Sequence, residues 1–353
     1  MDLLQTLGLS LPIIQAPMAG VSTPELAAAV SNAGGLGSIA VGATDAAGAR
    51  KMIESTRAKT DRGFQVNVFA HSPARRDIAR EQAWLNVLRP QFERFGTAPP
   101  THLRVIYKSF LEDEAMLDTL ADLAPPVVSF HFGLPKQNQV EVLKQHGCVL
   151  LATVTSLKEA RAAEHVGIDA LVAQGFEAGG HRGVFDPEER DDCLGTLALT
   201  RLLACKSPLP VIAAGGIMDG AGVRAVLELG AVAAQLGTAF VACPETSADE
   251  GYRAALSRVP QMGTVMTRAI SGRPARSLAN RFTEWGQGDR PMAPDYPIAY
   301  DAGKALNLAA KAAGELGFGA QWAGQGAPLV RAMPAAKLVA TIGHELRRIR
   351  PMS

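Results

Sequence analysis

The sequence predicts a (β/α)8 barrel, the TIM-barrel class of α/β fold, with a small appended subdomain near the C-terminus. Eight short apolar runs lie before Cys243, and most are followed by a segment with helical periodicity. Such alternation is typical of parallel α/β folds, and eight units favour a closed barrel over an open sheet. Glycines end several of the runs, which indicates loops at the carboxyl ends of strands, where barrels bind ligands.

The individual strands and helices are predicted from the residues that begin and end them. Residues 13–16 form the first apolar strand, and Thr23-Pro24-Glu25 then supply an N-cap, a proline at the first helical position and an acid in the first turn. Gly34-Gly35 end that helix. The other predicted strands cover residues 36–41, 64–69, 127–133, 149–154, 170–173, 210–214 and 231–238.

Two stretches interrupt the alternation and set the expected domain division. Residues 70–123 are charged and predict helices around 74–95 and 112–123 within one enlarged connection. Residues 243–300 are rich in arginine and proline and predict a small α/β subdomain over the barrel mouth. We therefore expect a barrel at 1–242, this subdomain, and C-terminal helices at 301–353 that complete the barrel, with a closing helix at 334–350.

Composition narrows the classes of partner. Hydrophobic residues make up 47% and charged residues 20%, and the formal net charge is +1. No nucleic-acid or membrane partner is indicated. The first residues lack a signal-peptide pattern and the cysteines are scattered, so we expect reduced thiols and a cytoplasmic location. We also expect a monomer or a homodimer. No His, Cys, Asp or Glu spacing suggests a metal site.

The sixth strand ends in a loop that combines glycines with a histidine, Gln174-Gly175-Phe176-Glu177-Ala178-Gly179-Gly180-His181-Arg182-Gly183. Glycines let a backbone approach a ligand closely, and His181 is a titratable group at the ligand-binding end of a barrel. The alternative is a glycine turn beside a surface histidine.

Two later turns indicate a phosphate site. Gly215-Gly216 follow the seventh strand and residues 235–238 end the eighth, and barrels often hold a phosphate with these two loops. The alternative is two tight turns. The pattern of a Rossmann dinucleotide site is absent, so a mononucleotide such as FMN fits better, with Asn67 and Gln174 able to bond its ring edges.

The motifs at residues 14–20, 173–183, 213–217 and 235–238 together resemble the nitronate monooxygenase family, formerly called 2-nitropropane dioxygenases. The resemblance implies an FMN-containing barrel with a small second domain, and it places His181 beside the flavin. The FMN contacts that it implies are Met18, Asn67, Gln174, Gly179, Gly180, Gly216, Gln235, Leu236, Gly237 and Thr238.

A second group of residues resembles the pocket of the bacterial class I enzymes, namely Tyr107-Lys108, His131-Phe132-Gly133, Tyr296, Tyr300 and Lys304. The last three lie on one face if their segment is helical, although Pro297 falls within it. An amphipathic helix with half-buried tyrosines is the alternative. His131 either faces the mouth or is a core histidine bonded to a backbone carbonyl. The remaining histidines are expected to be solvated: His71, His102, His146, His165 and His344.

The resemblance implies oxidation of alkyl nitronates, of which propionate 3-nitronate is the usual family substrate, with dioxygen, to a carbonyl compound and nitrite. His181 would be the catalytic residue, orienting the anion or removing an α-proton. His131, Tyr107, Tyr296, Tyr300 and Lys304 would bind the substrate. Two alternatives remain: an FMN-dependent NAD(P)H reductase for enoyl thioesters or quinones, and a non-enzymatic FMN-binding barrel.

Overall fold

A computed structural model describes residues 3–258 and 262–348, and a parallel barrel forms its centre. The eight barrel strands lie where the sequence predicts them, because glycines mark the ends of many of the apolar runs. They are β1 (Ile13–Gln15), β2 (Gly37–Ala40), β3 (Phe64–Phe69), β4 (Val127–His131), β5 (Val149–Val154), β6 (Ala170–Gln174), β8 (Val211–Ala214) and β9 (Ala233–Leu236). The two-residue strand β7 (Gly180–His181) lies outside the barrel.

The strand order is β1-β9-β8-β6-β5-β4-β3-β2, and β1 closes the cylinder against the start of β2. An isolated parallel bridge joins Ile14 to Leu36. The Leu36 N–H donates to the Ile13 carbonyl at 2.9 Å, and the Gln15 N–H donates to the Leu36 carbonyl at 2.9 Å. The predicted fold class is therefore confirmed.

Helices follow most of the strands, and capping side chains fix several of their starts. Thr23 accepts from the Leu26 N–H, and Asp45 and Asp219 cap later helices in the same way. The helices are α1 (Leu3–Thr6), α2 (Pro24–Asn32), α3 (Ala46–Arg57), α4 (Ile78–Arg94), α5 (Glu114–Leu123), α6 (Gln137–Gln145), α7 (Leu157–Val166), α8 (Thr196–Lys206), α9 (Gly220–Glu228), α10 (Thr238–Val241), α11 (Glu250–Ser257), α12 (Arg281–Gly286), α13 (Ile298–Ala312) and α14 (Ala335–Arg347). Residues 349–353, including the predicted helix end at Arg350, lie outside the described residues.

The C-terminal part and the insertion after β3 share one hydrophobic cluster. Trp84 and Leu88 of α4 pack with Phe282 of α12 and with Ile298 and Leu306 of α13. This packing ties the long connection to the segment above the barrel mouth. The division at residues 242 and 300 stays a prediction, and α13 runs across the second of these points.

A second, antiparallel sheet carries β7 into the site. Its order is β10 (Thr264–Thr267), β11 (Ala275–Leu278) and β7, with His181 opposite Ala275. Because this pairing fixes the backbone of the glycine–histidine loop, the loop is ordered by residues almost a hundred positions later in the chain. Among the described helices, none has the length and apolarity needed to cross a membrane.

Candidate active site

A cavity of about 620 Å³ opens at the carboxyl ends of the barrel strands. Its floor includes Gln65, Asn67 and Gln235, and its upper wall comes from the segment around α13 and from Trp322. The volume lies in the range of small-molecule and cofactor sites. The ligand-binding end predicted from the sequence is therefore where the structure has its large cavity.

His181 lines this cavity and is held at several points. Its carbonyl oxygen accepts from Gln174 Nε2 at 3.0 Å and from His131 Nε2 at 3.2 Å. Its own Nε2 lies 2.8 Å from Ser271 Oγ. The imidazole ring also packs against Trp322, with centroids 5.0 Å apart. The backbone and the ring of His181 are thus fixed separately.

Both cavity histidines are neutral near pH 7. Burial lowers the pKa of His181 well below its usual value, and electrostatic interactions with His131, Arg273 and His71 lower that pKa further. Burial lowers the pKa of His131 to about 4, although its bond to the His181 carbonyl opposes the shift. An uncharged imidazole offers one N–H donor and one acceptor.

The two interpretations of His131 prove compatible. Its side chain lines the cavity, and its Nε2 also contacts a backbone carbonyl, that of His181. A carbonyl oxygen only accepts, so His131 carries its hydrogen on Nε2. His131 therefore supports the glycine–histidine loop from inside the cavity wall.

An aromatic wall faces the histidines, although Tyr296 is not helical. Helix α13 begins at Ile298 after Pro297, so Tyr296 precedes the helix. Its ring nevertheless lies 5.3 Å from that of His181 and 6.4 Å from that of Tyr300. The predicted grouping of these side chains is found, but loop geometry rather than a shared helical face produces it.

The tyrosines of this wall remain protonated. Burial raises the pKa of Tyr107 to about 12, and it raises the pKa values of Tyr296 and Tyr300 as well. Each phenol is therefore a hydrogen-bond donor near neutral pH.

Lys304 supplies a positive charge to the same wall. Its Nζ lies 5.0 Å from the ring centroid of Tyr107 and 5.5 Å from that of Tyr300. Within the described residues Lys304 has no ion pair, whereas Lys311 on the same helix pairs with Asp249. Burial lowers the pKa of Lys304, and the charge of Asp301 opposes this. An anion bound in the cavity would oppose the effect of burial and raise the pKa of Lys304.

The residues expected to contact a cofactor line the same cavity, with one exception. Leu236 is buried in a hydrophobic cluster and is not part of the cavity lining. The others that line the cavity are Met18, Asn67, Gln174, Gly179, Gly180, Gly216, Gln235, Gly237 and Thr238.

Several of these polar groups already have protein partners. Asn67 Nδ2 donates to the carbonyl and hydroxyl of Ser129, at 3.1 and 2.9 Å. The Gln174 amide spans the loop, since Nε2 donates to His181 and Oε1 accepts from the Gly183 N–H at 2.7 Å. Thr238 Oγ1 accepts from the Gly324 N–H at 2.9 Å. These bonds order the cavity wall before any ligand binds.

Three amide oxygens in the wall lack partners among the described residues, and they indicate where a donor would fit. Gln65 Oε1, Gln235 Oε1 and Asn307 Oδ1 are buried without a hydrogen bond in this part of the chain. Such an atom is costly to bury unless a ligand or water donates to it. The sequence interpretation missed Gln65, although its spacing of two from Asn67 in β3 puts both on one face of the strand.

The glycine loops bring backbone segments very close together. A Cβ on Gly179 would lie 2.4 Å from the Gly324 nitrogen, and one on Gly183 would lie 2.6 Å from Thr153 Cγ2. Gly216 has a φ of +70°, which disfavours other residues. The glycines are thus required by the geometry of this cavity edge.

His71 corrects an expectation, because it is buried rather than solvated. It is 2% exposed, and its ring lies 5.1 Å from that of Tyr296. Burial lowers its pKa to about 4. The cause is tertiary, since the rings of Phe132 and Tyr296, which are remote in sequence, pack against His71. The other four histidines are exposed as expected.

Sequence reasoning also missed Ser271 and Trp322, which approach His181 from distant segments. Phe132 follows His131 in the predicted pocket motif, and its φ of +75° is rare for a bulky residue. Its ring lies 4.4 Å from that of His131 and 5.4 Å from that of His181. The described residues contain no group of His, Cys, Asp or Glu side chains that could hold a metal ion.

Comparison with known proteins gives a consistent result. A family model described as nitronate monooxygenase matches residues 2–345. A protein named nitronate monooxygenase from Paraburkholderia phytofirmans is 62% identical over 347 residues, covering 98% of this chain and 95% of that protein. One of the same name from Pseudomonas aeruginosa is 56% identical over 342 residues, with 97% of each chain covered.

Solved structures show the same likeness. A nitroalkane oxidase from Streptomyces ansochromogenes superposes with a TM-score of 0.89 at 41% identity, covering 98% of both chains. FabK from Thermotoga maritima superposes with a TM-score of 0.73 at 30% identity, covering 97% of this chain and 94% of that one.

Proposed function

The chain belongs to the nitronate monooxygenase family, and we propose that it uses FMN and dioxygen to oxidise small alkyl nitronates to a carbonyl compound and nitrite. Members of this family are flavin-dependent oxidoreductases. FMN as the particular flavin, dioxygen as the oxidant and the individual site residues are parts of the proposal. A cytoplasmic location and a monomeric or homodimeric state stay predictions from the sequence.

One observation carries the proposal. The cavity has glycine-lined loops suited to a phosphate-bearing cofactor and a wall of phenols with one cation, Lys304, that has no ion pair among the described residues. Tyr107, Tyr296 and Tyr300 can donate hydrogen bonds, and Lys304 can neutralise a charge. A nitronate is a small anion whose two oxygens accept hydrogen bonds, so it matches this wall.

The cavity also fits the polar groups of FMN. The unpaired oxygens of Gln65 and Gln235 need donors, and FMN has ring N–H and ribityl O–H groups that can supply them. Backbone N–H groups of the loops at Gly179, Gly216 and Gly237 would hold the phosphate. When bound, FMN supplies the electron-transfer chemistry with dioxygen, and the protein supplies position and charge.

His181 has a defined part in this proposal. As a neutral imidazole held at its backbone and at Nε2, it can donate a hydrogen bond to an anion without a proton transfer beforehand. Because a bound anion favours the protonated imidazole, the pKa of His181 would rise on substrate binding. His131 would support His181 through its carbonyl oxygen.

Activity is tested with purified protein reconstituted with FMN. We expect oxygen uptake and nitrite release with propionate 3-nitronate, and a fall in kcat/KM of roughly 10- to 100-fold in His181→Asn, the size of losing a hydrogen bond to a charged group. His146→Asn is the control, since His146 is exposed and is not part of the cavity lining. Absence of nitrite from flavin-loaded protein would refute the proposed activity.

A further inference from the structure

The hydroxyl of Ser271 is buried directly beside the imidazole of His181. Ser271 is 1% exposed, and its Oγ lies 2.8 Å from Nε2. The next residue, Gly272, has a φ of +90°, and a Cβ there would lie 2.3 Å from the Pro294 carbonyl oxygen. The turn that carries Ser271 therefore packs closely against the segment leading to Tyr296. This packing fixes the position of Ser271 relative to His181.

The hydrogen-bond geometry indicates where the hydroxyl hydrogen lies. Ser271 Oγ accepts from the Arg273 N–H at 3.4 Å, and the Arg273 carbonyl lies 3.4 Å away as a possible acceptor. A serine hydroxyl has one hydrogen to donate, and it has two possible acceptors, His181 Nε2 and the Arg273 carbonyl oxygen. The distance to His181 Nε2, 2.8 Å, is much the shorter, so the hydroxyl donates to that nitrogen.

We propose that Ser271 is a positioning residue that donates to Nε2 of His181 and so holds the imidazole as its Nδ1–H tautomer. His181 then presents Nδ1–H as the donor to the anionic group of the substrate. Among the described residues, Nδ1 has no hydrogen-bond partner. The proposal rests on the proposed function, because it assigns the nitrogen that meets the nitronate.

The neighbouring histidine has the opposite arrangement. His131 must carry its hydrogen on Nε2 because that atom contacts the His181 carbonyl. The two imidazoles are both neutral, yet each is fixed in a different tautomer by its partner, a hydroxyl in one case and a carbonyl in the other. Ser271, rather than His181 itself, therefore determines that Nδ1–H is the donor available to the substrate.

The proposal also fixes the sign of a pH effect. A hydroxyl that donates to Nε2 stabilises the neutral imidazole, so its removal raises the pKa of His181. If Nε2–H instead donated to Ser271, removal would lower the pKa or leave it unchanged. The other titratable or charged groups around His181 are unchanged by the substitution; they are His71, His131, Arg273, Tyr296 and Tyr300.

The experiment is ¹⁵N NMR of histidine-labelled, FMN-loaded protein, with the His181 signals assigned by their loss in His181→Asn. We expect Nε2 to be the unprotonated nitrogen in the wild type. In Ser271→Ala both tautomers should be populated, and the pKa of His181 should rise. Ser271→Thr, which keeps the hydroxyl, should restore the wild-type signals.

Kinetics gives a second readout. In Ser271→Ala we expect KM for propionate 3-nitronate to rise about three- to tenfold, with a smaller change in kcat, since one donor orientation is lost. Ser271→Thr should recover the wild-type KM. If Ser271→Ala fails to bind FMN, the near-isosteric Ser271→Cys, a weaker donor, must show the same direction of pKa change.

A wild-type His181 protonated at Nε2, or a pKa that falls in the variant, would overturn the positioning role. That result leaves nitrite production by the wild type intact. Conversely, an Nδ1–H tautomer in a protein that releases no nitrite would refute the proposed function while preserving the tautomer assignment.

Discussion

Replacement of Lys304 with methionine tests the proposed binding of an anion by the aromatic wall most selectively. Methionine keeps much of the apolar stem of lysine but removes the ammonium group, which lies near the rings of Tyr107 and Tyr300. A charge-assisted hydrogen bond contributes roughly 1.5–3 kcal/mol. Because Lys304 is partly exposed, solvent screening reduces this to about 1–2 kcal/mol, which corresponds to a rise in KM of roughly 5- to 30-fold.

Helix α13 offers a matched control. Lys311 lies seven positions further along and also borders the cavity, but its ammonium group is already paired with Asp249. Lys311→Met removes the same charge from the same helix, so we expect KM to change less than about twofold. Both variants should retain FMN, because neither lysine is among the proposed cofactor contacts.

The assay is steady-state oxygen uptake against propionate 3-nitronate concentration, with flavin content measured first. In the wild type, kcat/KM should fall at alkaline pH as Lys304 deprotonates. Because burial lowers the pKa of Lys304, this fall should occur at a lower pH than is usual for a lysine. The fall should be absent in Lys304→Met. Equal KM values in the two lysine variants would refute the role of Lys304.

The remaining predictions concern stability and cofactor binding. The pKa of His71 is about 4 in the folded protein and 6.5 in the free side chain, so stability that is present above pH 6.5 is lost as the pH falls towards 4. The complete loss is about 3 kcal/mol. His71→Phe should therefore show a smaller fall in Tm than the wild type between about pH 7 and about pH 5, and an equal fall would refute this. Gly179→Ala should cost roughly 1–3 kcal/mol and reduce FMN content, because the new Cβ would lie 2.4 Å from the Gly324 nitrogen. Gly63→Ala, with its nearest atom at 3.6 Å, is the control, and similar Tm values for the two glycine variants would contradict the steric argument. Gln65→Leu should weaken FMN binding about three- to tenfold in a fluorescence titration of apoprotein, and an unchanged Kd would remove Gln65 from the cofactor site.

The barrel was predictable because its signals are local. Strands such as Phe64–Phe69 and Val149–Val154 are apolar runs with clear ends, and glycines or capping residues such as Thr23 mark the helices. Parallel strands also bring their carboxyl ends to one edge, so residues that end different strands could be assigned to one site. That rule correctly grouped Asn67 and His131 around one cavity.

The supports of His181 could not be predicted in the same way. Strand β7 has two residues, too few for a periodic pattern, and its partner β11 lies far along the chain. Ser271 and Trp322 reach the imidazole only through the tertiary fold. His71 was misjudged for the same reason, because the residues that bury it are remote in sequence.

Gln65 differs from these residues, because the information needed to find it was present. A polar residue two positions from Asn67 in a strand must share its face, and a glutamine on the inner face of a barrel needs a partner. Local polarity within a predicted strand thus identifies cavity-lining polar residues that motif matching overlooks.

Anaerobic mixing of the FMN-loaded protein with propionate 3-nitronate, and separately with NADH or NADPH, tests the central claim most directly. The flavin absorbance should change rapidly with the nitronate and stay unchanged with either nicotinamide. Rapid bleaching by NADH or NADPH, with no response to the nitronate, would contradict the account and favour a reductase.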